Sequence, residues 1–427
     1  MTNINLGKYF NLILVCLPAF MLLGQFITNS LAIIYSIYVI ISLVLLDKER
    51  LSIIFRIKCV LLLFLFAIIL TISTILNFDK NFDISLIANV SIFLAIFFII
   101  GVYQNLNNYK HFILKKLYIV CLVSFIFIFL IVCFDIFFYF DYFVSDTSIK
   151  VLHRYLFENE IMGTYAMRFY PLLVALSLIF KKYNNLIFIF LFISSLILVI
   201  LSFQRIMIID FFLINTLFFF FFRSLRNFLV SMFAILITTF LSLEVYNFAN
   251  NKNLFSEKFT SEIIQGNKIY IYTPHYQGHY ITASKMINEN LFFGIGPNQF
   301  RNKCSNDKYE YIFSSWIDTG GKGYKEANSC SSHPHHYFLQ IFAEGGAFAF
   351  IILTFLYSFL IYLLFKFKYK IMSESKILFY GSSISIITIY FPLTPSHNFY
   401  NGWTNIPLFL TLGILIYAYF SLVKEKN

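Results

Sequence analysis

Three imidazoles fall within four positions where a polar stretch meets an apolar run: His333, His335 and His336 in Cys330-Ser331-Ser332-His333-Pro334-His335-His336-Tyr337-Phe338-Leu339, which continues through Gln340 to Glu344-Gly345-Gly346. Ser332 can cap a helix, and Pro334 is tolerated in a first helical turn. This places His335 at a helix N-terminus, where unpaired N–H groups and the macrodipole favour anions. That field disfavours the imidazolium, so His335 is expected to be neutral and able to take a proton. The alternative is a set of interfacial side chains with no chemical role.

Guanidinium groups supply the second signal. Arg205 closes Ser202-Phe203-Gln204-Arg205 between two apolar runs. Arg168 lies inside a run, and Arg154 precedes Glu158-Asn159-Glu160 just ahead of it. Charge within a membrane span is costly and normally faces a cavity or a partner. Arg168 therefore pairs with Glu160, snorkels to the surface, or clamps phosphate, for which its planar fork of donors is suited. Arg205 is either such a clamp or a boundary anchor. A third signal is Phe293-Gly294-Ile295-Gly296-Pro297-Asn298-Gln299-Phe300. No strand–helix unit surrounds it, which argues against a dinucleotide site and leaves a tight turn back toward the apolar runs. There is no Walker A motif, no H-E-x-x-H and no Asp-x-Asp pair. The expected chemistry uses histidine, arginine and a lipid-borne donor, with no metal and no cofactor.

The elements that must hold these groups are transmembrane helices. The chain has 427 residues, 59% hydrophobic and 12% charged. That is about half the charge of a soluble domain, too little to cover a water-facing surface. Apolar runs of about 18 residues or more can cross a hydrocarbon core of about 30 Å, and they lack the alternation of a barrel. Twelve spans are expected, at 9–28, 31–46, 59–76, 84–104, 117–139, 163–180, 185–202, 206–222, 228–246, 336–364, 377–395 and 405–422. With the N-terminus inside, 18 of the 32 basic residues fall in cytoplasmic connections or at the termini. This bias predicts two cytoplasmic termini and accounts for the net charge of +11 without nucleic acid. Seven of the eight histidines then map outside, His111 being the exception.

The polar segment 247–335 is expected outside as a small extramembrane cap, dividing the chain into 1–246, 247–335 and 336–427. It carries His275 and His279, and also Cys304 and Cys330, which form a disulfide, ligate metal with the nearby histidines, or remain free thiols. An oxidising compartment favours the first.

Together these features resemble the O-antigen ligase and O-antigen polymerase family of bacterial membrane glycosyltransferases. His333-Pro334-His335 through Leu339, then Glu344-Gly345, is similar to the family's H-N-x-x-L…E-x-G signature. Gly294 to Phe300 is similar to G-x-G-x-x-x-F, Ser202 to Arg205 to the S-x-S-R turn, and Arg154 through Glu160 and Gly163 to R-x-x-x-F-x-x-E-x-x-G. His336 stands where the family usually has Asn, Gln204 where it has Ser, and Ile206 where it has Gly. The arginine often found ahead of Gly-x-Gly is absent, with His275 and His279 in that neighbourhood. The resemblance implies a polytopic all-α protein of the bacterial inner membrane with a large periplasmic loop. It implies a polyprenyl-diphosphate-linked glycan donor and a glycan or lipid A–core acceptor. His335 would be the general base, and Arg205, with Arg168 or Arg154, would stabilise the leaving diphosphate. Glu160, His333, His336, His275, His279, Glu344, Gly294, Gly296 and Asn298 would line the substrate. A transporter or flippase of a lipid-linked or anionic substrate is the alternative from another class.

Overall fold

The computed structural model describes residues 2–46, 57–78, 82–145, 161–180, 185–201, 205–249, 264–265, 268–269, 274–317, 323–368 and 372–425. Backbone groups in an apolar run find partners only within their own segment, and the apolar runs accordingly form helices, although the run expected as 9–28 breaks at Gly24, between α1 and α2. In order these are α1 (Thr2–Met21), α2 (Gln25–Ile41), α3 (Lys58–Leu76), α4 (Phe82–Ser145), α5 (Ile161–Phe180), α6 (Asn185–Leu201), α7 (Arg205–Phe221) and α8 (Arg226–Ala249). After the polar segment come α11 (Tyr337–Lys366), α12 (Glu374–Ile389) and α13 (Gly402–Lys424). The polar segment contributes α9 (Pro274–Glu289), the single turn α10 (Phe300–Lys303), and two antiparallel hairpins, Ile264–Gln265 with Lys268–Ile269 and Ile312–Ile317 with Gly323–Asn328.

Three further expectations change. Spans 84–104 and 117–139 lie on one continuous helix, α4. Residues 102–116 contain neither Gly nor Pro, so polarity there marks a change of surroundings and not a helix end. Side chains in that stretch bond to other segments: Asn105 donates to the Tyr35 hydroxyl at 2.5 Å and Lys110 pairs with Glu374 at 2.8 Å. Second, the span expected at 377–395 stops at Ile389, because Pro392 and Pro395 cannot continue a helix. Residues 390–401 become a connection that reaches the candidate site. Third, five helices among the described residues are long and apolar enough to cross a membrane, or six if α7 and α8, bent by 115° at their junction, count as one broken span. Arg226 holds that bend by donating to the carbonyls of Phe219 and Phe220.

The protein is therefore a multi-pass helical membrane protein. α12 runs through its middle, with every residue from Ser375 to Thr388 buried, between α5 and α13. Small residues set the spacing: a Cβ at Gly381 would lie 2.3 Å from that of Ala175 on α5, and one at Gly413 2.5 Å from Val102 on α4. Close backbone approach is how helices gain packing where no hydrophobic force draws them together.

Candidate active site

The imidazole cluster is built by the turn that enters α11. That helix starts at Tyr337 and its N-cap is His336, not Ser332: His336 Nδ1 accepts from the Leu339 amide at 3.2 Å. With Nδ1 accepting, the ring proton sits on Nε2 and donates to the Pro392 carbonyl at 2.9 Å. Ser332 instead bonds His333 Nδ1 at 2.8 Å, and His333 Nε2 reaches the Ser396 carbonyl at 3.2 Å. His335 has φ 53°, a left-handed conformation rare for a residue with a Cβ. Its carbonyl accepts from the Ser396 amide at 2.8 Å, which ties the turn to the connection between α12 and α13.

The His335 ring lies 4.0 Å from His333, 5.3 Å from Tyr276 and 5.4 Å from His279, centroid to centroid. The last two project from the first turns of α9, where His279 Nδ1 donates to the Ser329 carbonyl at 2.8 Å. Burial, and then the neighbouring His279, pulls His335 down to about 4. Burial, and then His335, pulls His333 down to about 2. His279 and His336 are lowered, again chiefly by burial. The neutrality expected of His335 thus arises from desolvation and crowding and not from a helix terminus, since His335 precedes the cap. His275, at the second position of α9, is exposed and adds to the lowering of His279.

The Gly-x-Gly segment is clamped to α11 about two turns beyond the cluster. The amides of Ile295 and Gly296 donate to the carbonyls of Ala343 and Glu344 at 2.9 and 3.0 Å. Glu344 is fully buried, and its carboxyl accepts from the Phe300 amide at 2.8 Å and from Gln340 at 3.1 Å. A Cβ at Gly294 would lie 2.5 Å from the Glu344 backbone. At Gly346, with φ 74°, α11 breaks, and a Cβ would lie 2.2 Å from the Phe292 carbonyl. Asn298, also left-handed, accepts from Asn398 at 3.3 Å. In this structure Glu344, Gly294 and Gly296 hold the loop against the bundle. A disulfide joins Cys304, just after α10, to Cys330.

Arg168 approaches from α5. It is 6% exposed, and one terminal nitrogen donates to the Tyr337 hydroxyl at 3.3 Å. A cavity of about 30 Å³ beside it is lined by Ile206, Asp210, Tyr337, Ser396 and His397. His397 is pulled down to about 3 by burial and then by the Arg168 charge. Arg205 is the first residue of α7, immediately before Ile206 in the cavity wall. The Arg205 side chain, Arg154 and Glu160 lie outside the described residues. Asp210, Ser396 and His397 carry no role in the sequence reading. Asp210 had a legible signal, an acidic residue inside an apolar run, the criterion that singled out Arg168. His397 had one too, as one of the seven histidines that map outside; Ser396 had none, because it read as the edge of a span.

An apolar cavity of about 500 Å³ lies between α3, α4, α11, α12 and α13. Phe66, Tyr390 and Phe399 are among its lining. The Tyr390 ring packs 5.0 Å from that of Tyr337. Tyr337, on the wall of the small polar cavity, thus packs against Tyr390, on the wall of the apolar one.

A bundle of apolar helices with imidazoles and a buried guanidinium gathered at one end defines a multi-pass membrane protein equipped for polar chemistry beside an apolar chamber. Residues 189–354 match the family model described as O-antigen ligase, a segment running from α6 into α11 and containing Arg205, the Gly-x-Gly turn, His335 and Glu344. The match supports the O-antigen ligase and polymerase family, and with it a membrane glycosyltransferase-like role in surface polysaccharide biosynthesis. No curated protein matches the chain.

Proposed function

We propose that the protein transfers or polymerises a polyprenyl-diphosphate-linked glycan at the periplasmic face of the bacterial inner membrane. His335 takes the proton of the acceptor hydroxyl as its oxygen attacks the anomeric carbon of the donor. The carbon–oxygen bond to the diphosphate breaks, and the diphosphate leaves with the electron pair, inverting the anomeric centre. Arg205, with Arg168 or Arg154 as a second cation, stabilises the charge that builds on the leaving group. No step needs a metal. The isoprenoid tail lies in the apolar cavity between α3, α4, α11, α12 and α13, held by burial of its methyl and methylene groups. The acceptor is lipid A–core sugar for a ligase, or another lipid-linked repeat for a polymerase.

The observation that carries this reading is one chamber bordered by three distant parts of the chain. Arg168 of α5, the first turn of α7 after Arg205, and the 394–397 connection bonded to His335 all meet around it. The asymmetry of basic residues is the support for two cytoplasmic termini and a periplasmic segment 247–335, which labelling of that segment from outside intact cells tests. His335→Ala and Arg205→Ala should each abolish glycan transfer while leaving membrane insertion and abundance unchanged. Near-normal glycan ladders from both variants would end the assignment. In a deletion strain, loss of long chains with single repeats kept identifies a polymerase. Lipid-linked glycan stranded without attachment to core identifies a ligase.

A further inference from the structure

Three residues that line the small cavity beside Arg168 each carry a buried polar atom with no hydrogen-bond partner among the described residues: Nη1 of Arg168, Oδ1 of Asp210 and Oγ of Ser396. Buried polar groups are satisfied in about nine cases of ten, so three of them on one cavity point to a group that completes them. A donor, an acceptor and a hydroxyl that can be either are the complement of another hydroxyl. The cavity, about 30 Å³, has room for one or two oxygen-sized groups and none for a diphosphate. The neighbourhood identifies which hydroxyl. Ile206 and Met207, which follow Arg205, form one wall, and Ser396, bonded through its amide to the His335 carbonyl, forms another.

We propose that Arg168 and Asp210 form a polar seat for a ring hydroxyl of the donor sugar joined to the diphosphate. Arg168 Nη1 donates to the hydroxyl oxygen, and Asp210 Oδ1 accepts the hydroxyl's hydrogen bond. The pair selects the donor sugar, and Arg168 belongs to the glycan and not to the diphosphate. This assignment rests on the glycosyl transfer proposed above.

The test uses the full-length protein in lipid nanodiscs with two probes: the lipid-linked glycan extracted from a deletion strain as donor, and farnesyl diphosphate, which has no sugar, as inhibitor. Asp210→Asn and Arg168→Lys should raise KM for the donor by about tenfold or more, as loss of a hydrogen bond to a charged group implies. Each should leave inhibition by farnesyl diphosphate within about twofold of wild type. If Asp210→Asn instead tightens farnesyl diphosphate inhibition about tenfold while Arg168→Lys weakens it, the cavity is a phosphate seat and the proposal fails. If neither variant moves KM, the pair is structural and the proposal fails. Variants are compared only as monodisperse preparations, with Asp210→Glu as a second acidic variant should Asp210→Asn not fold. Undiminished turnover in His335→Ala separately overturns the underlying reaction.

Discussion

The amide of Ser396 donates to the carbonyl of His335 at 2.8 Å, across 61 positions of sequence, and His335 is held at φ 53° by that contact and its neighbours. A side-chain-bearing residue in this region is conformationally costly, and such residues cluster at functional sites. The bond also makes the connection between α12 and α13 a common wall for the imidazole cluster and the Arg168 cavity.

His335→Gly separates backbone from imidazole. Glycine adopts this φ freely, so the variant should be as stable as wild type or more stable by about 1 kcal/mol. It should still lose glycan transfer. A thermal unfolding midpoint measured beside a surface-glycan ladder checks both halves. Retained transfer would remove His335 from the chemistry.

His336 performs a task that asparagine also performs well, capping α11 through a side-chain acceptor. His336→Asn should keep most of the stability and activity. His336→Leu, which loses the cap and the bond to Pro392, should cost about 1 to 2 kcal/mol. Equal unfolding midpoints for the two variants would show that the cap contributes nothing.

Acid should destabilise the protein. Folded-state values of about 4 for His335, about 2 for His333 and about 3 for His397 lie below the ordinary histidine value of 6.5. The unfolded chain therefore binds more protons, and stability rises with pH through this window. The contribution is full above about 6.5 and is lost as pH falls toward about 4 and below. Unfolding midpoints at pH 7.5 and pH 5 should differ, and a His333→Gln, His335→Gly, His397→Gln variant should show a smaller difference. The same difference in both proteins would exclude these imidazoles as its source.

Gly346→Ala should greatly reduce folded protein. Its Cβ would meet the Phe292 carbonyl at 2.2 Å, and its φ is 74°; a backbone clash cannot be relieved by a rotamer change, so a loss of more than about 3 kcal/mol is expected. Gly24, with φ 109° and nothing within 4 Å of a built Cβ, is the control. There alanine should cost only the conformational part, about 1 to 2 kcal/mol. Membrane abundance of the two variants decides between clash and conformation.

Composition and the length of the apolar runs were enough to establish a helical membrane protein, because hydrocarbon leaves the backbone no alternative partner. The local pattern around His335 and the buried charge of Arg168 were legible for similar reasons: each is an expensive or unusual residue choice where it stands. The continuity of α4 was not legible, since a polar stretch can stay helical. Nor was the early stop of α12, whose prolines read as the edge of a span. What only the tertiary structure decided is who faces whom. Arg168 and Asp210 come together from α5 and α7, His336 finds the Pro392 carbonyl, and Ser396 finds His335. Sequence spacing defines neighbours along one helix or one turn, whereas these contacts depend on how separate helices pack and where the connection between them is drawn back.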